Sequence, residues 1–259
     1  MIITIVGLTM SILISGDFHA NSLNEIDIIS KHSLLCKYRE EIYDTIKYHI
    51  ILGDGGFFWP ENQKADKSNY KELAKRPFPI LCLIGNHEPI LGMKKLNEVN
   101  IGIGETVFLI QNNPFIAYLK RGKVYTIEGF KVLVLGGALS IDKNARIPGI
   151  TWWEQEYWSE NEKHDLFALL ESVNSFDYVL SHTGPHRINS YLFKMNMHFN
   201  QSKFNDEVAF LNDIIDSKIS CLEWLCGHWH KDVYFYDQNM KRGYQYLYHT
   251  TKILNKDNL

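Results

Sequence analysis

Short apolar runs alternate with longer polar segments along most of the chain. Six of these runs are almost continuously apolar, which is typical of strands that are covered on both faces. The runs are residues 11–15, 48–52, 79–84, 130–135, 176–180 and 221–226. The polar segments between them predict helices. These segments are residues 24–30, 35–47, 66–75, 89–98, 154–172 and 204–217.

Two stretches have a different pattern. Residues 103–137 contain four short strand-like runs separated by turn residues, which predicts consecutive antiparallel strands. The tail repeats the pattern, with "DVYFYD" and "GYQYLYHT" on either side of "QNMKRG". Helix–strand alternation around an all-β stretch predicts an α/β fold, a two-sheet mixed β-sandwich flanked by helices. Because the sequence has no repeat or linker-like tract, we expect one domain over residues 1–259, with excursions over one rim at 139–160 and 184–203.

Composition adds three restrictions. The net charge of −3 provides no overall electrostatic attraction to an anionic membrane, and it disfavours long nucleic acid as a partner. The stretch "MIITIVGLTMSILIS" lacks a basic start and is too short to span a bilayer, so we expect a cytoplasmic protein; Met1 and Met10 both stay open as its start. The four cysteines form no C-x-x-C pair, which favours buried free thiols.

Polar side chains follow five of the apolar runs. These side chains are of types that bind metals or transfer protons, and glycine precedes them in four of the five segments. The carboxyl ends of strands in α/β folds open into one crevice, so we expect the side chains to lie together. Glycine lets the backbone turn sharply or approach a bound group closely. The polar residues are Asp17, His19, Asp54, Asn86, His87, His182, His228 and His230.

Apart from His87, these residues form a set of hard ligands. The set contains two carboxylates, one amide oxygen and four imidazoles, with no thiolate. It suits Mn²⁺, Fe, Zn²⁺ or Ni²⁺. Seven ligands are too many for one ion, and they match two ions that share a carboxylate. Two ions about 3.5–4 Å apart are an arrangement that promotes in-line displacement at phosphorus.

The complete set of strand-end motifs resembles that of a known family, the calcineurin-like metallophosphoesterase superfamily. The motifs are Gly16-Asp17-x-His19, Gly53-Asp54, Gly85-Asn86-His87-Glu88, His182 and Gly227-His228-x-His230. The resemblance covers residues 16–230 and implies a four-layer α/β/β/α sandwich with a dinuclear metal centre. It implies that Asp17, His19 and His230 hold the first ion. Asn86, His182 and His228 would hold the second ion, and Asp54 would bridge both.

The same resemblance implies a reaction. A hydroxide bridging two divalent ions, Mn²⁺ as the first choice, would hydrolyse a phosphate mono- or diester, with His87 as the general acid. The substrate would be a small phosphorylated molecule, with a nucleotide among the options. A nucleotide or nucleic-acid phosphodiesterase is a variant of this hypothesis, and a non-catalytic protein-binding scaffold is the alternative from another class. The ester preference, the physiological substrate and the oligomeric state stay open.

The segment "GDGGFFWP" departs from one branch of the family. Phe57 and Phe58 stand where phosphoprotein phosphatases carry an aspartate that orients the catalytic histidine and an arginine that binds phosphate. This departure argues against protein phosphatase activity and leaves the metal chemistry intact. The chain resembles instead the poorly characterised bacterial and phage members.

Residues 136–158, "GGALSIDKNARIPGITWWEQEYW", resemble a loop of those members. Lys143 and Arg146 are predicted to bring a cation near the substrate phosphate, with Arg146 as the substrate-binding residue. His186 and Arg187 are second candidates because they follow His182 closely. Two interpretations of the loop's aromatic residues stay open, stacking on a flat leaving group or packing against the protein. These residues are Trp152, Trp153, Tyr157 and Trp158.

Overall fold

The computed structural model of the chain describes residues 10–17, 19, 40–58, 76–195 and 206–256. The predicted helices at 24–30 and 66–75 lie outside the described residues, as do Cys36 and the last part of the predicted excursion at 184–203. Among the described residues, thirteen strands form two sheets. In chain order the strands are β1 (Ser11–Ser15), β2 (Ile46–Ile51), β3 (Ile80–Cys82), β4 (Glu98–Asn100), β5 (Thr106–Asn112), β6 (Phe115–Leu119), β7 (Lys123–Ile127), β8 (Phe130–Val134), β9 (Tyr178–Leu180), β10 (Glu223–Cys226), β11 (Val233–Asp237), β12 (Arg242–Tyr246) and β13 (Thr251–Asn255).

Helices cover the outer faces of both sheets. Those described are α1 (Glu40–Thr45), α2 (Ile90–Met93), α3 (Glu160–Ser172), α4 (His186–Met195) and α5 (Glu207–Asp216), with short 3₁₀ turns at Lys143–Ala145 and Glu154–Glu156. Apolar side chains of α3, α4 and α5 pack on the second sheet, and those of α1 and α2 pack on the first. The predicted two-sheet mixed sandwich flanked by helices is confirmed.

Each sheet has a parallel centre and antiparallel edges. The strand order is β13-β1-β2-β3-β6-β5-β4 in the first sheet and β11-β12-β10-β9-β8-β7 in the second. Strands β1, β2, β3 and β6 run parallel, as do β8, β9, β10 and β12. The carboxyl ends of the strands within each parallel group therefore lie along one edge of its sheet.

The core lies between the sheets and explains the continuous apolar runs. In β1, Ile12 and Ile14 contact the second sheet's side chains in the central cluster, whereas Leu13 points outward to α1. Successive side chains of a strand point to opposite faces, so a strand covered on both faces needs apolar residues at every position. Each of the six predicted runs overlaps a strand of the structure.

The structure corrects several predicted boundaries. The helix expected over 89–98 ends at Met93, because residues 98–100 pair with β5 as an edge strand. The helix expected over 154–172 begins only at Glu160, where Ser159 and Glu162 form a reciprocal capping box. Strand β13 was not predicted, and α4 occupies the described part of the excursion predicted at 184–203.

Three of the four cysteines lie within the described residues. Cys82, Cys221 and Cys226 are free thiols, and Cys82 and Cys226 are buried as predicted, whereas Cys221 is half-buried. None of the described helices combines the length and the apolar character that crossing a bilayer requires.

Replacing Leu254 by alanine tests how far β13 supports the core. Leu254 is 2% exposed in the cluster between the sheets, whereas Leu222 is 50% exposed. We expect Leu254→Ala to lower the free energy of unfolding by about 2–5 kcal/mol, since it leaves a cavity. Leu222→Ala is the matched control and should change it by less than about 0.5 kcal/mol. Urea unfolding followed by circular dichroism measures both; equal effects would contradict the packing of β13 on the core.

Candidate metal centre

The predicted site residues all follow the carboxyl ends of parallel strands. Asp17 and His19 come after β1, Asp54 after β2, and Asn86 and His87 after β3. In the second sheet, His182 follows β9, and His228 and His230 follow β10. Two sheets packed face to face thus present these ends at a common edge, and the structure brings the eight residues together there.

Unusual backbone conformations aim several of these side chains inward. The φ angles of His19, Asp54, His228 and His230 are 41°, 50°, 67° and 48°, in the left-handed region that residues other than glycine rarely adopt. Such conformations cost about 1–3 kcal/mol each and concentrate at functional sites. Four of the eight predicted residues share this feature, which marks the edge as a functional site.

The glycines that precede these residues have little room for a side chain. A Cβ on Gly85 would lie 2.1 Å from Oδ1 of Asp54, and a Cβ on Gly227 would lie 2.4 Å from Oδ1 of Asp17. A Cβ on Gly16 would lie 1.8 Å from the carbonyl oxygen of Leu247. The close approach that the sequence pattern predicted is therefore present.

One group of ligand-type atoms lies on the β1 side of the edge. Nε2 of His230 is 3.1 Å from Oδ2 of Asp17, and Nε2 of His19 is 3.2 Å from Nε2 of His230. Ligand atoms of these three residues all lie within 4.8 Å of one another. The backbone N–H of His228 donates to Oδ1 of Asp17 at 2.8 Å, so Oδ2 remains directed at the two imidazoles.

A second group surrounds His182. Its Nε2 lies 3.0 Å from Oδ1 of Asn86 and 3.3 Å from Oδ2 of Asp54. Its Nδ1 lies 2.7 Å from the carbonyl oxygen of Leu52. Because a carbonyl only accepts, Nδ1 is the donor, and this contact orients the ring so that Nε2 faces the site.

His228 completes this group with an unpartnered atom. Its ring centroid is 5.0 Å from that of His182. Within the part of the chain that the structure describes, its buried Nε2 has no hydrogen-bond partner. Burial lowers the pKa of His228 to about 3, with the nearby His182 adding to the effect, so the imidazole is neutral and has a free lone pair. A buried unsatisfied nitrogen of this kind fits a bound metal ion.

Asp54 lies between the two groups. Its Oδ2 is 3.3 Å from Nε2 of His182, 3.7 Å from Nε2 of His87 and 3.9 Å from Nε2 of His19. The backbone N–H of His19 also donates to the carbonyl oxygen of Asp54 at 2.7 Å, which ties the loop after β1 to that after β2. This central position fits the carboxylate that the sequence pattern assigns to both ions.

Charge explains how two buried carboxylates stay ionised. Burial by itself would raise the pKa of Asp54, but His182 and His87 hold that pKa well below its usual range. Burial likewise opposes ionisation of Asp17, and His182 and His230 lower its pKa. In turn, despite burial, Asp54 and Asp17 raise the pKa of His182. The site thus attracts positive charge, which fits divalent cations.

Glu88 is a supporting residue to which the sequence pattern gave no role. Its buried Oε2 accepts the backbone N–H groups of Gly85 at 2.6 Å and Asp54 at 3.3 Å, and Tyr118 donates to Oε1 at 3.2 Å. These bonds tie the loop after β3 to the loop after β2. An acidic residue directly after His87 was the available signal, but only the fold reveals that it bonds backbone.

Arg146 lies beside His87. The structure therefore places one cation of the loop near the site, and the phosphate contact of Arg146 stays a prediction. Its Nη2 is 2.9 Å from Nε2 of His87, and Nε of Arg146 pairs with Oδ1 of Asp142 at 2.7 Å. Lys143 is elsewhere: its Nζ lies over the ring of Trp152, 4.1 Å from the centroid. Of the two cations that the loop offers, the guanidinium is the one at the site.

The second candidates have other partners. Arg187 pairs with Asp216 and Asp237, and the ring of His186 stacks on that of Phe210 with centroids 4.0 Å apart. The contacts described here therefore give no support to the prediction that they are alternative substrate contacts, since acidic residues of α5 and β11 hold the guanidinium.

Among the loop aromatics, Trp153 and Trp158 follow the packing interpretation. Both side chains are buried. The indole N–H of Trp158 donates to the carbonyl oxygen of Gly136 at 2.8 Å, and its ring lies against the Arg121 guanidinium. These two rings are therefore unavailable to stack on a substrate.

Comparison with known proteins identifies the family. The model of the calcineurin-like phosphoesterase family matches residues 10–232, so the chain belongs to this family of metal-dependent phosphoester hydrolases. A search of curated proteins gave no match. Among solved structures, the chain is similar to the phosphopantetheinyl hydrolase PptH from Mycobacterium tuberculosis, with 12% identity and a TM-score of 0.47 over 94% of this chain and 92% of that one. That similarity is too distant to indicate a shared substrate.

A methyl group at Gly85 tests whether this geometry binds metal. It would lie 2.1 Å from Oδ1 and 2.6 Å from the backbone N of Asp54, so the Asp54 carboxylate must move. We expect Gly85→Ala to weaken Mn²⁺ binding by at least about 10-fold, measured by calorimetric titration.

Gly102→Ala is the control for that substitution. Gly102 differs from Gly85 in having a positive φ, 83°, and a Cβ there meets no atom of the described residues within 4 Å, so the variant bears only backbone strain of about 1–2 kcal/mol. Equal Mn²⁺ affinity in the two variants would contradict a metal site at this edge.

Proposed function

We propose that this chain hydrolyses phosphate esters with two divalent metal ions bound at the ends of its parallel strands. The observation that carries the proposal is the convergence of ligand-type side chains from five strand ends around the carboxylate of Asp54. Asp17, His19 and His230 would hold the first ion. Asn86, His182 and His228 would hold the second, and Asp54 would contact both.

The donor set indicates which metals the site would take. Carboxylate, amide and imidazole donors without a thiolate suit Mn²⁺, with Fe, Zn²⁺ or Ni²⁺ as alternatives. When bound, two such ions lower the pKa of a water molecule towards neutrality and neutralise charge on the phosphoryl oxygens. The protein's own part is to hold the donors in place, through the Leu52 carbonyl behind His182 and the backbone N–H of His228 on Asp17.

His87 would act as the general acid. Its backbone N–H donates to Oδ1 of Asp54 at 3.0 Å, and its ring nitrogen faces Oδ2 of the same carboxylate at 3.7 Å. The ring lies next to the proposed ions, and its ligand atom is also within 4.8 Å of those of His19 and Asp54. The resemblance to the family, and not this geometry, assigns His87 to proton transfer. In the free site Nε2 accepts from the Arg146 guanidinium, which only donates. A phosphoryl group that binds Arg146 would release Nε2, and the protonated ring would then transfer its proton to the leaving oxygen.

Arg146 would bind the phosphoryl group. Its guanidinium contacts the His87 ring and is held from behind by Asp142, so its charge is directed at the space in which the phosphate would lie. Guanidinium groups match the geometry of phosphate oxygens. In this chain Arg146 would supply the cation that the segment at Phe57 and Phe58 lacks.

A cavity beside the site supports an organic group of apolar or aromatic character on the substrate. It has a volume of about 280 Å³ and includes the two imidazoles of the last motif in its wall. Its lining residues are Ile141, Leu192, Phe193, His228, Trp229, His230 and Lys231. Pockets of mostly apolar lining with a few polar groups are typical of small-molecule sites. We therefore propose a small phosphoester with an aromatic or apolar substituent, nucleotides included.

Wild-type protein loaded with Mn²⁺ should hydrolyse p-nitrophenyl phosphate or bis-p-nitrophenyl phosphate. The ratio of the two rates distinguishes a monoesterase from a diesterase. Phenylphosphonate should inhibit more strongly than methylphosphonate, because its ring would enter the cavity. Inactivity on both esters with Mn²⁺, Fe²⁺, Zn²⁺ and Ni²⁺ would favour the alternative hypothesis, a non-catalytic protein-binding scaffold.

Replacing His87 by alanine separates proton transfer from metal binding. We expect His87→Ala to retain both ions and to lose activity by about 10²–10⁴-fold on an alkyl phosphate, whose leaving group needs a proton. The loss on p-nitrophenyl phosphate should be smaller, because nitrophenolate leaves without one. Steady-state rates and metal content measure the two effects. His164→Ala, which alters an exposed histidine of α3, is the control; loss of metal in His87→Ala would assign that ring to the ligands instead.

A further inference from the structure

A buried chain of hydrogen bonds connects Asn86 to the aromatic loop. Nδ2 of Asn86 lies 3.0 Å from Oγ of Ser140, and that Oγ lies 2.6 Å from Oε2 of Glu156. The backbone N–H of Ser140 donates to Oε1 of Glu156 at 3.3 Å. The three residues are 3%, 2% and 1% exposed, so water does not substitute for these partners.

These hydrogen bonds all run in one direction, from Asn86 through Ser140 to Glu156. The Glu156 carboxylate accepts on both oxygens, from the hydroxyl and from the backbone N–H of Ser140. The Ser140 hydroxyl has a single proton, which goes to Glu156, so its oxygen acts as an acceptor towards Asn86. The amide of Asn86 must then present its NH₂ group to Ser140 and its Oδ1 to the opposite side.

That opposite side is the candidate metal centre. Oδ1 of Asn86 lies 3.0 Å from Nε2 of His182, which in turn lies 3.3 Å from Asp54. An amide rotated by 180° would direct N–H groups at this position, and N–H groups have no lone pair for a cation. The orientation of one side-chain amide therefore decides whether Asn86 offers an oxygen to a metal ion.

The segment that carries Glu156 is held firmly in place. Arg121, which follows β6, donates to the carbonyl oxygens of Gln155 at 3.0 Å and Tyr157 at 2.9 Å and pairs with Glu162 at 2.8 Å. A Cβ on Gly137 would lie 2.4 Å from the carbonyl oxygen of Glu156, so the backbone at the start of the loop closely approaches the backbone near its end. The carboxylate is thus fixed by contacts on both sides of its position in sequence.

We propose that Ser140 and Glu156 are positioning residues that lock the Asn86 amide with its oxygen towards the second metal ion. The inference rests on the proposed function, because it takes Asn86 as a ligand of that ion. Partners behind a metal ligand contribute about 10–100-fold to metal affinity in other sites. The same loop would then have two roles. Arg146 would contact the substrate phosphate, and Ser140 and Glu156 would hold the metal ligand Asn86.

Metal binding by Ser140→Ala and Glu156→Gln tests the proposal. Both substitutions are small: the first removes one hydroxyl, and the second replaces the carboxylate by an amide of the same shape. In calorimetric titrations with Mn²⁺, we expect the second equivalent to bind about 10–100-fold more weakly in each variant, with the first equivalent unchanged. The electron paramagnetic resonance signal of coupled Mn²⁺ pairs should decrease in parallel at limiting metal.

Two controls make the result specific. Glu154→Gln alters an exposed carboxylate of the same loop and should bind both equivalents as the wild type does. Ser140→Thr keeps the hydroxyl and should recover most of the affinity that Ser140→Ala loses. Urea unfolding of every variant separates a local effect from loss of the fold.

The outcomes distinguish this inference from the function on which it rests. Wild-type protein that binds no metal would overturn the proposed function and this inference with it. Wild-type protein that binds two equivalents, together with unchanged affinities in Ser140→Ala and Glu156→Gln, would overturn this inference alone. An equal loss of both equivalents would also overturn it, because Asn86 belongs to one ligand group.

Discussion

Two buried carboxylates determine how the rest of the site is built. Asp17 and Asp54 lie at the ends of adjacent parallel strands, where water reaches neither side chain freely. An ionised carboxylate in such a place is costly unless opposite charge and hydrogen bonds compensate it. The structure supplies imidazoles from the second sheet and backbone N–H groups from the loops. The site therefore collects positive charge by necessity, whether that charge is carried by an imidazolium or by a divalent ion.

Bringing these groups together strains the backbone, and contacts elsewhere in the sandwich must offset this strain. Four left-handed residues lie in three of the loops, and glycines at 16, 85 and 227 allow contacts that a Cβ would forbid. Each of these features opposes folding slightly. The apolar interior between the sheets and the bonds of Glu88 to two loops offset them. The strands thus provide most of the stability, and the loops that follow them carry the residues of the site.

The sequence predicts the parts that depend on local pattern. The six central runs were recognisable because strands covered on both faces are apolar at every position, and the site residues followed because parallel strands end at one edge. Features set by distant partners were not predictable in this way. Strand β13 exists because it pairs with β1, almost the whole chain away. The pairing of Arg187 with Asp216 was not predictable, because Asp216 lies on a helix that sequence proximity to His182 does not reveal. Ser140 and Glu156 lack any motif of their own.

The backbone strain and the buried polar groups of the site also bear on the alternative hypothesis, a non-catalytic protein-binding scaffold. A domain that only binds another protein gains nothing from left-handed histidines or from a buried imidazole nitrogen without a partner. Substitution of such residues would relieve strain and raise stability, so a chain without metal chemistry has no physical reason to keep them. Here the strained positions are among those that the proposed function assigns to metal ligands, and the proposed orientation of the Asn86 amide would direct an oxygen at one of the ions. The energetics of the fold therefore favour an enzyme over a scaffold.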